Sequence, residues 1–123
     1  MKRILLAEDD KNLSRSVDIL LTLDGYEVIS VYNGEEALNK LCLQKFDLLI
    51  TDIVMPHLSG KELIREIRRI NPHIPIMVVS GNLNNGLIEE LNRFGVYHIL
   101  AKPIHPPLFR EEVQKIFHEN GNN

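Results

Sequence analysis

Short apolar runs alternate with longer amphipathic stretches along this chain. Ile4-Leu5-Leu6-Ala7 is the first run, and it stops at acids. From about Asn12 to Leu23, the residues Leu13, Val17, Leu20 and Leu21 recur at helical spacing and share one face. Asp24-Gly25 reads as a helix stop. Tyr26 to Val31 is a second strand candidate. Asn33, with Glu36 three residues on, has the form of an N-cap with its capping glutamate. The helix it opens carries Ala37, Leu38 and Leu41. Phe46 to Thr51 is a third strand. Leu58 to Ile70 follows as a helix with Leu63, Ile64, Ile67 and Ile70 facing inward, until Asn71-Pro72 ends it. Ile74 to Val79 is a fourth strand. Asn84-Asn85-Gly86 starts a weak helix through Leu87, Ile88 and Leu91, closed by Gly95. Tyr97 to Ala101 is a fifth strand, and Pro106-Pro107 begins a last helix with Leu108, Phe109, Val113, Ile116 and Phe117.

Five strand–helix repeats in 123 residues predict one α/β domain, 1–123, built on a parallel sheet. The near-continuous apolar strands agree, because a parallel sheet is covered on both faces. A flavodoxin-like doubly wound (βα)5 fold with strand order 2-1-3-4-5 is the natural candidate at this length, although the pattern alone leaves the order open. Residues 119–123, ending in Gly121-Asn122-Asn123, are expected to form a disordered tail.

Composition removes several classes of function. With 44% hydrophobic and 25% charged residues, the chain has the make-up of a globular domain that needs no disulfide or structural metal. A net charge of -3 argues against nucleic acid as a partner. The single cysteine, Cys42, excludes an intramolecular disulfide and suits a reducing cytoplasm, the expected location. It is expected to be packed or half-buried. No apolar run reaches the length of a membrane span. The apolar start is too short for a signal peptide, and Glu8-Asp9-Asp10 follows it directly. No membrane partner is expected.

The candidate chemistry sits at the strand ends. In a doubly wound sheet, the loops after the strand C-termini form the binding crevice. Strand one ends in Glu8-Asp9-Asp10, strand three in Asp52, strand four in Ser80-Gly81 and strand five in Lys102-Pro103. A charged residue at one strand end is ordinarily just solvated. Four polar ends at the same face form a pattern that single solvated residues do not. Carboxylates drawn together raise one another's pKa, and a divalent cation relieves the repulsion. Oxygen ligands without His or Cys favour Mg²⁺ or Mn²⁺. Asp52 could serve as a carboxylate nucleophile, Lys102 could pair with it or hold a phosphoryl oxygen, and Ser80 could donate to another.

The segments Ile4-Leu5-Leu6-Ala7-Glu8-Asp9-Asp10, Asp52-Ile53-Val54-Met55-Pro56-His57-Leu58-Ser59-Gly60, Val78-Val79-Ser80-Gly81 and Lys102-Pro103, in this order and spacing, resemble the receiver domains of two-component response regulators. The resemblance runs from Lys2 to about Phe117. It implies a phosphorylation-dependent switch and not an enzyme with a separate substrate, although the domain assists its own phosphotransfer and dephosphorylation. Asp52 would be the phosphoacceptor, Asp9 a direct metal ligand, and Glu8 a ligand through water. The Val54 carbonyl would complete the protein's metal ligands. Asp10, one step past the acid pair, falls at a helix N-terminus where an acid is favoured, but the register of the three acids could shift by one. Ser80 would be the switch hydroxyl, Lys102 the phosphate-contacting lysine, and the Lys102-Pro103 bond cis. A sensor histidine kinase or phosphotransfer protein would supply the phosphoryl group. The face around the fourth helix, fifth strand and fifth helix (about residues 84 to 117) would change affinity for a downstream effector, an output domain or a second copy of the chain.

This sequence departs from the family where Ile99 replaces the aromatic that often stands three residues before the lysine. Tyr97 shares its side of the strand and is read as a buried or edge residue. Val54 and Asn82, two residues after the phosphoacceptor and the switch hydroxyl, are expected to set how water reaches an acyl phosphate. The five histidines match no metal spacing and are read as surface residues near loops. Arg65, Arg68 and Arg69 read as a solvated helix face, and Gly34 and Gly60 as turn or close-packing glycines. Three other functions compete. A flavin electron carrier needs hydroxyls where this chain has acids after strand one. A haloacid-dehalogenase-type phosphatase needs Asp-x-Asp there. A receiver-like interaction module that is never phosphorylated has no need of the Asp52, Ser80 and Lys102 set.

Overall fold

A computed structural model describes residues 1–120 of the chain. The end of the expected tail, Gly121-Asn122-Asn123, lies outside the described residues. Five strands and five helices alternate: β1 (Arg3–Ala7), α1 (Lys11–Leu23), β2 (Glu27–Val31), α2 (Gly34–Leu43), β3 (Leu48–Thr51), α3 (Gly60–Ile70), β4 (Ile76–Ser80), α4 (Asn85–Arg93), β5 (His98–Ala101) and α5 (Pro106–Asn120). The strands form one parallel sheet in the order β2-β1-β3-β4-β5, the flavodoxin-like arrangement.

The two-residue period of the strands explains how both faces are filled. On β1, Ile4 and Leu6 join Val17 and Leu21 of α1 and Phe109, Val113 and Ile116 of α5. Leu5 and Ala7 point the other way, into a cluster with Ala37 of α2, Leu63, Ile64 and Ile67 of α3 and Leu91 of α4. β3 and β4 divide their residues in the same manner. With both faces covered, a polar residue inside a central strand finds no water, which is why these strands read as unbroken apolar runs. Truncating one of these buried Leu or Phe side chains to Ala costs roughly 2–5 kcal/mol.

Helix starts are set by side-chain caps. Asp10 caps α1, accepting the Asn12 and Leu13 N–H groups at 3.0 and 3.1 Å. Asn33 caps α2 through the Glu36 N–H, while the Glu36 carboxylate reaches back one residue further, to the Tyr32 N–H. Ser59 and Glu62 form a full capping box on α3. Leu58 and Ser59 therefore stand outside that helix. Gly25 and Gly95, with φ +93° and +75°, take the left-handed turns after α1 and α4 that a side chain resists.

Several expectations change. The tail does not begin at residue 119, because α5 continues through Glu119 to Asn120 and Glu119 reaches His98 at 3.4 Å. Ile70, the last residue of α3, is 56% exposed and does not face inward. Cys42 is exposed on the outer side of α2. Arg68 is half-buried, and its guanidinium donates to the Phe94 and Ile74 carbonyls at 2.6 and 2.8 Å, so it ties α3 to neighbouring loops. Burial holds its pKa below the usual arginine value. Tyr97 precedes β5 and is largely exposed. His98 is no free surface histidine, for its Nδ1 lies 2.7 Å from the Glu112 carboxylate. Among the described residues, no helix is long and apolar enough to cross a membrane.

Candidate functional site

The register of the sheet brings the polar strand ends level. Ala7 of β1 lies beside Val31 of β2 and Thr51 of β3, and Ser80 of β4 lies beside Ala101 of β5. The residues that follow, Glu8, Asp52 and Lys102, therefore leave the sheet at the same edge. Main-chain bonds extend the ladders into them: the Asp52 N–H donates to the Ala7 carbonyl at 3.1 Å, and the Lys102 N–H to the Ser80 carbonyl at 2.9 Å.

Lys102 is the centre of the arrangement. Its Nζ lies 2.6 Å from Asp52 Oδ2 and 2.9 Å from Glu8 Oε1. The other Asp52 oxygen accepts the Ile53 N–H at 2.6 Å, and the other Glu8 oxygen accepts the Asp10 N–H at 3.0 Å. Glu8 and Asp52 are buried, whereas Asp9 is exposed. Oxygens of Glu8, Asp9 and Asp52 come within 4.8 Å of one another. The cis Lys102-Pro103 bond lies in the turn that carries the lysine away from β5.

Burial pushes the Glu8 carboxyl above its usual pKa, and the Asp10 N–H and Lys102 only partly oppose this. Burial also works against the Lys102 charge, yet the bonds to Asp52 and Glu8 outweigh it and hold the ammonium up. Three carboxyl groups face one ammonium here, so the acids outnumber the cation. The donor set is oxygen only, which suits a hard divalent cation of the Mg²⁺ kind.

Glycine makes the pocket possible. A Cβ on Gly60 would stand 2.0 Å from the Asp52 carbonyl oxygen, so α3 can begin against the back of Asp52 only without a side chain there. Gly34 meets the Leu58 carbonyl in the same way, so both glycines serve close packing.

Asp10 is committed to the α1 cap and does not join the acid cluster. Ser80 is buried at the end of β4, where its Oγ accepts the Asn82 N–H at 3.3 Å. Val54 is 60% exposed on the loop after Asp52. Ile99 is half-buried and packs on the α2–α3–α4 side of the sheet. The pairing of Glu8 with Lys102 was missed in the sequence, where only Asp52 was set against the lysine. The available sign was the surplus of strand-end acids over strand-end cations.

The family model for the response regulator receiver domain matches residues 4–114. The chain belongs to this family. CpdR, a response regulator receiver protein of Brucella abortus, is 38% identical over 116 residues, which cover 94% of this chain and 97% of CpdR. The response regulator receiver protein Anae109_2439 of Anaeromyxobacter is 35% identical, but the match spans 87% of this chain and only 45% of that protein. For the transcriptional regulatory protein GlrR of Escherichia coli, 31% identical, the match spans 82% of this chain and 23% of the relative. The match thus spans nearly all of one relative and less than half of the other two. Among solved structures, the response regulator TrrA of Thermotoga maritima, in complex with Mg²⁺–BeF, superposes with a TM-score of 0.84 at 32% identity, covering 94% of this chain and 99% of TrrA. A CheY-like receiver of Methanospirillum hungatei reaches a TM-score of 0.93 at 27% identity, covering 97% and 95%. This chain is therefore the receiver domain of a two-component response regulator, a signalling module.

Proposed function

We propose that this receiver accepts a phosphoryl group on Asp52 from a phosphohistidine and converts it into altered partner binding. The observation that carries the reading is the Lys102 ammonium bridging Asp52 and Glu8, with an Asp9 oxygen in the same cluster. An Asp52 carboxylate oxygen attacks phosphorus, the phosphorus–nitrogen bond breaks, and its electron pair leaves with the imidazole. Lys102 exchanges its bond to Asp52 for one to a phosphoryl oxygen. The Ser80 hydroxyl turns from the Asn82 N–H to donate to another.

Asp9, Asp52 and the Val54 carbonyl would hold Mg²⁺ or Mn²⁺, with Glu8 acting through water. When bound, the cation neutralises charge on the transferred group. TrrA, crystallised with Mg²⁺ and a beryllofluoride group, is a similar fold in which such a pair binds, which supports the assignment. Movement of Ser80 shifts a pre-existing equilibrium of the α4–β5–α5 face. Ile99 takes the place on β5 where an aromatic often reports the switch. The donor is a sensor histidine kinase or phosphotransfer protein in the cytoplasm. The recipient of the signal is an effector, an output domain or a second copy of the chain. Water returns the acyl phosphate to the carboxylate at a rate set by Val54 and Asn82.

The test is incubation with acetyl phosphate and Mg²⁺, read by intact mass. Wild type is expected to gain one phosphoryl group, and Asp52→Asn or removal of the cation with EDTA to abolish it. Equal modification of Asp52→Asn defeats the assignment. In the same assay, exchanging Val54 or Asn82 is expected to change the rate at which the added mass is lost. An unchanged rate removes their tuning role.

A further inference from the structure

β5 is an edge strand of the sheet, and its side chains alternate between the two faces. Ile99 packs on the α2–α3–α4 side and Leu100 on the α1–α5 side. His98 shares the side of Leu100, and there its ring lies between two acids of α5. Nδ1 is 2.7 Å from Glu112 Oε2, and Nε2 is 3.4 Å from Glu119 Oε1. His98 and Glu112 are half-buried, whereas Glu119 is open to solvent. A neutral imidazole holds one N–H and one lone pair, while the imidazolium holds two N–H groups. Only the charged ring therefore offers a proton to both carboxylates. A neutral ring that keeps the shorter bond, Nδ1–H to Glu112, turns a lone pair at Nε2 toward Glu119, an acceptor against an acceptor.

The charges around the ring separate the two acids. Glu112 Oε1 lies 3.7 Å from Lys115 Nζ, so Glu112 keeps a cation when the ring is neutral. Glu119 pairs with His98, and it stands in the last turn of α5, where the negative end of the helix dipole disfavours an acid. On the other side of His98, β4 sets the apolar Met77 beside it. Arg68, His73 and Tyr97 line a cleft of about 370 Å³ together with His98 and Glu119. The Arg68 guanidinium is engaged by the Phe94 and Ile74 carbonyls. His73 is exposed in the loop before β4 and is the second histidine of the cleft.

We propose that His98 is a proton-operated clasp between β5 and the last turn of α5. The charged ring holds both Glu112 and Glu119. Loss of the Nε2 proton to water releases Glu119 and leaves Glu112 bound. The body of the helix stays anchored by Phe109, Val113 and Ile116. A histidine ordinarily changes charge between about pH 5 and 8, so the clasp closes toward the acid end of that range and opens toward the alkaline end. The clasp is separate from the Asp52 cluster and does not depend on phosphoryl transfer there.

The test follows the isotope-labelled chain by NMR from about pH 5 to about pH 9. The ring-nitrogen resonances of His98 report its protons, and the α-carbon shifts of Phe117, His118 and Glu119 report how far the last turn is helical. Both nitrogens are expected to be protonated at the acid end, and only Nδ1 at the alkaline end. The ratio of frayed to helical last turn should rise about threefold through the same midpoint, the scale of one partly exposed ion pair. Glu119→Gln keeps the shape of an exposed side chain and removes its charge. In that variant His98 should still titrate, while the last turn stays the same at both ends of the range. His73→Asn should leave the wild-type step and its midpoint in place, because the second histidine of the cleft takes no part. The proposal is overturned if the last turn does not follow the His98 ring, or if the neutral ring carries its proton on Nε2. It is also overturned if the step survives Glu119→Gln or disappears in His73→Asn.

Discussion

Lys102 faces more negative charge than it can neutralise, and this decides how the site responds to a cation. The ammonium already occupies Asp52 Oδ2 and Glu8 Oε1. A divalent ion that binds the same carboxylates has to compete with it. Lys102→Met keeps the length of the side chain and removes the competitor. The variant should bind Mg²⁺ about tenfold more tightly, equivalent to about 1.4 kcal/mol. Without Mg²⁺ it should melt lower than wild type, because Glu8 and Asp52 then repel each other in a buried place. Calorimetric titration and thermal melts with and without the ion read both effects. An unchanged Mg²⁺ affinity shows that Lys102 and the cation do not share these oxygens. At this scale the polar groups of the site were legible in the sequence, since each ends an apolar strand. The bond between Glu8 and Lys102 was not, because those residues meet only after β1, β3, β4 and β5 are placed side by side.

At the scale of the element, the loop from Asp52 to Ser59 connects the buried aspartate to α3, and the start of that helix fixes the length of the loop. Ser59 and Glu62 bond to each other's main chain, and the Gly60 N–H returns to the Ile53 carbonyl at 2.8 Å. Ser59→Ala removes the acceptor for the Glu62 N–H and should cost about 1 kcal/mol in a urea-denaturation series. A loss near zero assigns the start of α3 to Gly60 packing on Asp52 instead. All five helices and all five strands were legible, the helices from apolar positions recurring at a period near 3.6 and the strands from short continuous apolar runs. Their ends were less legible. Leu58 and Ser59 look helical by hydrophobicity, although the Ser59-x-x-Glu62 signal was present and points two residues further on. Phe46 and Ile74 look like strand, yet β3 starts at Leu48 and β4 at Ile76. Ladder partners end a strand, and the partner is not visible in the local pattern. Glu119 was assigned to a tail for a similar reason: its tether, His98, lies on another element.

Across the whole molecule, strand order was open in the sequence, since the local pattern of a strand is the same whichever neighbour it pairs with. Right-handed crossovers and helices on both faces leave few arrangements, and the strand pairing shows which one is adopted. That order also brings the first helix against the last. Asp24, which ends α1, takes both forks of the Arg110 guanidinium from α5, a contact spanning 86 residues. The bonds and charge of Arg110 hold the Asp24 carboxyl below the usual carboxylate range. An acid whose pKa is lowered by folding stabilises the fold at every pH above its unfolded value, about 3.9, and loses that contribution as the pH falls through the lower folded value. Asp24→Asn keeps the shape and removes the charge. Its melting temperature should lie below that of wild type by a constant amount at neutral pH. The gap should narrow once the pH drops below about 4 and close at lower pH. Added salt should shrink it as well, because the Arg110 end of the pair is open to solvent. Melting curves of the two proteins from about pH 7 to about pH 3 measure this directly. A gap that stays constant into acid shows that hydrogen-bond geometry, and not the aspartate charge, joins α1 to α5. In that case the clasp contributes equally at every pH, and the acid sensitivity of the domain has to come from other carboxylates.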